Sequence, residues 1–125
     1  MLPVVYISDW NKFNLSQVVE NYTFSVIIPD SAEVRRILVN NKRVRVILTD
    51  KKGRVEFVLG EAEVTSHMHL PIGKIFPHMW AMHIGERYVE TFMEQNSLSR
   101  FAFIIYIAFK INNMNSEFSF WLHER

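Results

Sequence analysis

The stretch "GRVEFVLGEAEVTSH", Gly53 to His67, alternates apolar and polar side chains but changes phase midway. Val55, Phe57 and Leu59 are apolar at odd positions, whereas after Gly60 the apolar residues are Ala62 and Val64, at even positions. Side chains on a strand alternate faces with a period of two, so a phase change turns the buried face over. One extra residue at Gly60 does this: a β-bulge bends and coils the strand and lets it serve two sides of a barrel corner. The other reading, two separate strands meeting at Gly60, stays open. No turn residue accompanies the glycine, which favours the bulge.

Upstream, "RVRVILT" (Arg43–Thr49) and "RVEFVLG" (Arg54–Gly60) flank "DKKG", a hairpin loop ending in glycine. Pairing Thr49 with Arg54 sets Leu48 opposite Val55, Val46 opposite Phe57 and Val44 opposite Leu59, with these six apolar side chains on one face. Before the hairpin, "YTFSVII" reads as a strand stopped by Pro29. Asp30, with Glu33 three residues on, resembles a capping box for a helix burying Val34, Ile37 and Leu38 and ending at Asn40 and Asn41. "LPVVYI" reads as a first strand with Pro3 at its edge. Asn14 or Ser16 can cap a short helix that gathers Leu15, Val18, Val19 and Tyr22 on one face.

Downstream of His67, Pro71, Gly73 and Pro77 punctuate a loop, and Pro77 can open a helix. Trp80, Ala81, Ile84, Tyr88, Val89, Phe92 and Met93 recur at helical spacing, with Gly85 placed to split the run in two. "FAFIIYIAFKI" is apolar on both faces and reads as a central, doubly covered strand. "NNMNSE" reads as a hairpin loop, with "FSFWL" returning along that strand. The expected fold is α+β, one domain over residues 1–125: a small, mostly antiparallel split β-barrel of about six strands with two or three outer helices.

The chain has 125 residues, 49% hydrophobic and 22% charged, which is the balance of a globular domain. A net charge of +1 gives no global attraction to nucleic acid or an acidic membrane. Zero cysteines exclude a disulfide framework and thiolate chemistry and fit a cytoplasmic protein. The longest apolar run, near Phe101 to Phe109, falls short of the ~20 residues a membrane helix needs, and the N-terminus lacks the marks of a signal peptide.

The stretch "FSVIIPDSAEVRRILVNNKRVRVILTDKKGRVEFVLGEAEV" resembles the FMN-binding split-barrel family, typified by pyridoxamine-phosphate-oxidase-like proteins; the likeness covers about residues 24 to 111. That family runs from a strand through a Ser-containing turn and short helix into an N-x-R-V strand start and a G-x-A-x-V strand end. The matching residues are Ser31, then Asn41, Arg43 and Val44, then Gly60, Ala62 and Val64. "GERYVETFMEQNSLSRFAFIIYIAFKI" is similar to the family's helix and closing strand, and "FSFWLHER" to its C-terminal Trp and Leu-His-x-Arg. The resemblance implies an FMN cofactor with its phosphate on Ser31, Arg35, Arg36 and Arg43, and Trp121 lining the flavin. It also implies a homodimer, an apolar interface drawing on the C-terminal hairpin, and an oxidoreductase acting on a small molecule. A second resemblance is to the ASCH and PUA-like domains, which bind RNA; it rests on "KRVRVILTDKKG", "GEAEV" and the following helix with Gly and Glu. It would place Lys42, Arg43 and Arg45 on a strand edge beside a ligand cleft.

Arg35, Arg36, Lys42, Arg43 and Arg45 are the densest basic cluster, suited to gripping a phosphate or to a solvated helix face and charged edge strand. Asp30 and Glu33 oppose an anion at the same helix start. His67 and His69 share a strand face; with His83 and Glu86 they could begin a metal site, but no diagnostic second ligand pair follows, so none is assigned. No nucleophile triad, phosphate-cradling glycine loop or carboxylate pair appears, and catalytic residues remain unassigned. A cofactor-free oligomeric interaction domain is the reading of a different class.

Overall fold

In this computed structural model, which describes residues 1–8 and 18–124, five strands and four α-helices form the fold. The order is β1 (Val4–Ser8), β2 (Thr23–Pro29), α1 (Ala32–Asn40), β3 (Arg43–Thr49), β4 (Val55–Pro71), α2 (Pro77–His83), α3 (Val89–Gln95), β5 (Phe103–Met114) and α4 (Ser116–His123). The strands make one curled half-barrel sheet in the order β1-β3-β4-β5-β2. β1 runs parallel to β3, and the other three pairings are antiparallel. The expected six-stranded, mostly antiparallel barrel is thus corrected to a mixed sheet of five strands. The missing strand is "FSFWL", which is helical as α4.

The physical reason lies in its spacing. Asn115 accepts from the Glu117 N–H at 3.0 Å, capping the helix. Phe118, Trp121 and Leu122 then fall on one helical face, and Phe118 is fully buried. The expected hairpin loop, "NNMNSE", is the end of β5 followed by this cap, so among the described residues there is no C-terminal hairpin to form the expected interface.

β4 crosses Gly60 without a break and carries the bulge there. Val46 pairs with Gly60 but Ile47 with Val58, which leaves Leu59 as the extra residue. Gly60 has φ +142°, and a Cβ there would lie 2.3 Å from the Asn113 carbonyl oxygen and 2.9 Å from the Asn115 nitrogen. Only glycine allows this approach, because Asn115 donates to the Leu59 carbonyl across it at 2.9 Å.

The hairpin register is corrected by a second irregularity. Thr49 pairs with Val55 and Leu48 with Phe57, rather than with Arg54 and Val55. The Asp50 carboxylate draws Arg54 into the turn instead, accepting from the Lys52 and Arg54 backbone N–H groups at 2.8 and 2.9 Å and from Arg54 Nε at 3.0 Å. Those bonds, the Arg54 N–H foremost, hold the Asp50 carboxyl below the usual carboxylate range. Val55 is consequently exposed, while Val44, Val46, Leu48 and Leu59 enter the core.

The concave side of the sheet holds the main core, with Leu38 of α1 plugging one end and Phe118 of α4 the other. The convex side of β2 and β5 is covered by the segment between β4 and β5: Ile27 and Ile104 pack on Ile72, Ile75, Trp80 and Met93. β5 is therefore buried on both faces, as its unbroken apolar run predicts. Pro77 opens α2 and Gly85, at φ +89°, separates it from α3, also as expected.

Three boundaries differ from expectation. α1 is capped by Ser31, not Asp30; Ser31 Oγ accepts from the Val34 N–H at 3.3 Å. β4 continues past His67 to Pro71 because it still has β5 to pair with. The early helix expected around Leu15 lies largely outside the described residues; Val18 to Tyr22 are not helical, and Asn21 sits at φ +70°.

Candidate nucleic-acid interface at the α1 end

β4 outruns β3. Their last backbone bond joins the Val64 N–H to the Lys42 carbonyl at 2.7 Å, after which β4 pairs with β5 alone. A bulge at Thr65, between the Val64 and Ser66 pairings, turns the strand over once more. Thr65 Oγ1 donates to the Ala108 carbonyl at 3.2 Å, and His67 and His69 now lie opposite Ile107 and Ile105, on the concave side.

The gap left by β3 is a cleft of about 530 Å³ between the end of α1 and the tail of β4. Asn40, Asn41 and Lys42 form one wall and Thr65, Ser66 and His67 the other; no Asp or Glu lines it. A neighbouring cleft of about 630 Å³ shares Asn40 and Asn41 and is lined further by Arg36, Tyr6 and Glu33. An ammonium and an imidazole among amides and hydroxyls make the first cleft a place for an anion with hydrogen-bonding edges.

The sequence-predicted site residues divide between the two ends of the sheet. Ser31, Arg35 and Arg36 gather on the first turns of α1. Ser31 is occupied as a cap, and Arg35 Nε donates to Asp30 Oδ1 at 2.9 Å. Arg36 faces the second cleft. Arg43 is on the convex face of β3, where it meets Glu61 at 3.3 Å, and Arg45 borders a crevice with the same Glu61. Trp121 lies at the far end, packed between Phe57 and Phe118 at 5.1 and 5.8 Å, as part of the core.

Two arrangements escape sequence reading. His69 Nε2 lies 3.0 Å from Asp30 Oδ1, so one carboxylate oxygen holds both His69 and Arg35. His69 also lies against Phe103, the two rings tilted with centroids 4.6 Å apart. Only the shared strand face of His67 and His69 was visible beforehand; pairing Asp30 with a residue 39 positions away requires the fold. His83 is buried on the opposite, convex side, 3.3 Å from Ser25 Oγ and edge-on to Tyr106. Burial pushes its imidazole below the ordinary histidine range, only partly offset by Ser25. Among the described residues no group of three metal-ligating side chains converges, and no helix is long and apolar enough to cross a membrane.

No family model matches the chain, and no curated protein matches it in sequence. Among solved structures it is similar to the crystal structure of protein EF3133 from Enterococcus faecalis V583, of family model DUF984, at 14% identity and a TM-score of 0.49, over 93% of this chain and 84% of that one.

Proposed function

We propose that this chain is a PUA-like binding module that takes single-stranded RNA at the α1 end of the half-barrel. The observation that carries the reading is the cleft of Asn40, Asn41, Lys42, Thr65, Ser66 and His67, cationic with no carboxylate in its walls. Its neighbours are compensated: Arg35 by Asp30, Arg43 by Glu61. With a net charge of +1 the attraction is local, so binding is moderate and salt-sensitive. The helical segment carrying Gly85 before the late apolar strand β5 is the feature on which the PUA-like resemblance draws.

A second reading keeps the split-barrel resemblance: FMN held beside α1, its phosphate on Arg36 and its ring against the exposed Tyr6 in the neighbouring cleft. In that case the chain is a flavoprotein, and the redox chemistry belongs to the flavin. A homodimer accompanies either reading; light scattering that finds only a 14.8 kDa species removes it.

Titration of purified protein with single-stranded RNA and, separately, FMN decides between the readings. The expected result is micromolar RNA binding that weakens with salt and with Lys42→Gln. Yellow protein, or FMN affinity lost in Arg36→Ala, establishes the flavin reading instead. Binding of neither ligand leaves an interaction domain.

A further inference from the structure

Beyond the cleft, the α1 end carries a row of aromatic rings that the core does not use. Phe103 begins β5 on the same face as Ile105 and is 39% exposed, and Phe101 just before it is 81% exposed. His69 lies opposite Ile105 on β4 and diagonal to Phe103, its ring centroid 4.6 Å from that of Phe103 at an interplanar angle of 34°. Exposed histidines ordinarily sample several rotamers; this one is fixed, because Asp30 Oδ1 sits 3.0 Å from its Nε2 and is itself fixed by Arg35 at 2.9 Å. Arg100 lies over the Phe101 ring at 5.6 Å.

Along β4 the groups follow as Lys42 beside Val64, then His67, then His69 against Phe103, with Phe101 and Arg100 in the turn just before β5. His67 and His69 are about 7 Å apart by strand geometry. Cationic groups at both ends with flat rings between them are what an unpaired nucleic-acid strand requires: phosphates meet the cations and bases lie on the rings. A duplex hides its base faces and cannot use them, and a lone phosphate has no use for the rings.

We propose that His69, Phe103 and Phe101 form a base-stacking shelf continuous with the cleft, which makes the ligand an unpaired strand read through its base faces. The proposal rests on the RNA reading of the cleft and adds to it a contact that phosphates alone do not make.

The test compares an oligouridylate of about ten nucleotides with an abasic strand of the same length. The parent protein binds the oligouridylate about tenfold more tightly than the abasic strand, since stacking contributes per base. Phe101→Leu with Phe103→Leu removes that difference and leaves abasic affinity unchanged; Lys42→Gln weakens both strands alike. Because Phe103 is partly buried, Phe101→Leu alone, at the more exposed ring, serves as the variant least able to disturb folding, and it lowers the difference by several-fold. Equal binding of the two strands by the parent, or a tenfold difference that survives the double variant, overturns the shelf and leaves the cleft reading standing. Absence of binding to either strand overturns both.

Discussion

The two ends of the half-barrel are each closed by a helix, nine residues in α1 and eight in α4, yet their chemistry is opposite. At the α4 end Phe57, Phe118 and Trp121 pack into an apolar plug, and Asn115, just past β5, is pinned to the Leu59 carbonyl across the Gly60 bulge. At the α1 end Leu38 reaches the core, but the surface above it is amide, hydroxyl, imidazole and ammonium around an open strand edge. Strand lengths produce the difference. β3 and β4 meet at a tight turn at one end, whereas at the other β4 runs on without β3 beside it. One end spends its side chains on apolar packing and the other leaves polar groups at an open cleft.

Substitutions at the α4 end should therefore act on stability first. Gly60→Val has the largest expected effect: the backbone at φ +142° and a collision with the Asn113 carbonyl each cost about 1–3 kcal/mol or more, together near 5. A chemical denaturation midpoint equal to the parent's would break the comparison. Phe118→Ala empties a fully buried site and should cost about 4 kcal/mol by the same measurement.

At the α1 end, Lys42→Gln should leave stability within about 0.5 kcal/mol while lowering RNA affinity several-fold and the salt-dependence slope by about 0.7. If instead Lys42→Gln lowers the denaturation midpoint markedly and leaves RNA affinity unchanged, the two ends have been assigned the wrong way round.

The convex side gives a pH test. His83 has a folded-state pKa pushed below its ordinary value of about 6.5, so the unfolded chain takes up a proton that the folded chain resists. Stability is fully retained above that ordinary value and falls as the pH drops from it toward the depressed one. Melting temperature between pH 7 and 5 should decline more steeply in the parent than in His83→Gln; parallel curves would exclude His83 as the source. The smallest effect belongs to Arg43→Ala, whose ion pair with Glu61 is largely solvent-exposed: about 0–1 kcal/mol, with RNA affinity unchanged.

What sequence reading captured here is what local periodicity encodes. The phase change at Gly60, the doubly apolar β5, the helix start at Pro77 and the break at Gly85 each follow from a few adjacent residues. The hairpin register failed because Asp50 recruits Arg54 through its carboxylate, a side-chain bond that overrides the most symmetrical pairing. "FSFWL" failed because two apolar residues flanking a polar one satisfy a strand and a helix alike; Asn115, as a cap, was the available signal. The basic cluster was legible as a cluster but not as a surface. The fold sends Arg43 and Arg45 outward to Glu61 and turns Lys42 into a cleft whose other wall comes from β4.

The pairing of β2 with β5 also governs how the chain can assemble. Thr23 lies opposite Lys110 and Pro29 opposite Ile104, so this seam joins segments far apart in the sequence. The β3–β4 hairpin, by contrast, closes over a short turn. Contacts between distant segments carry the larger loop-closure entropy and form late. The hairpin is then the expected nucleus, with β5 docking onto the finished β4 and β2 arriving last. Until it does, β5 presents an unpaired apolar edge, and the interval before β2 docks is when a crowded or heated population is most exposed to aggregation.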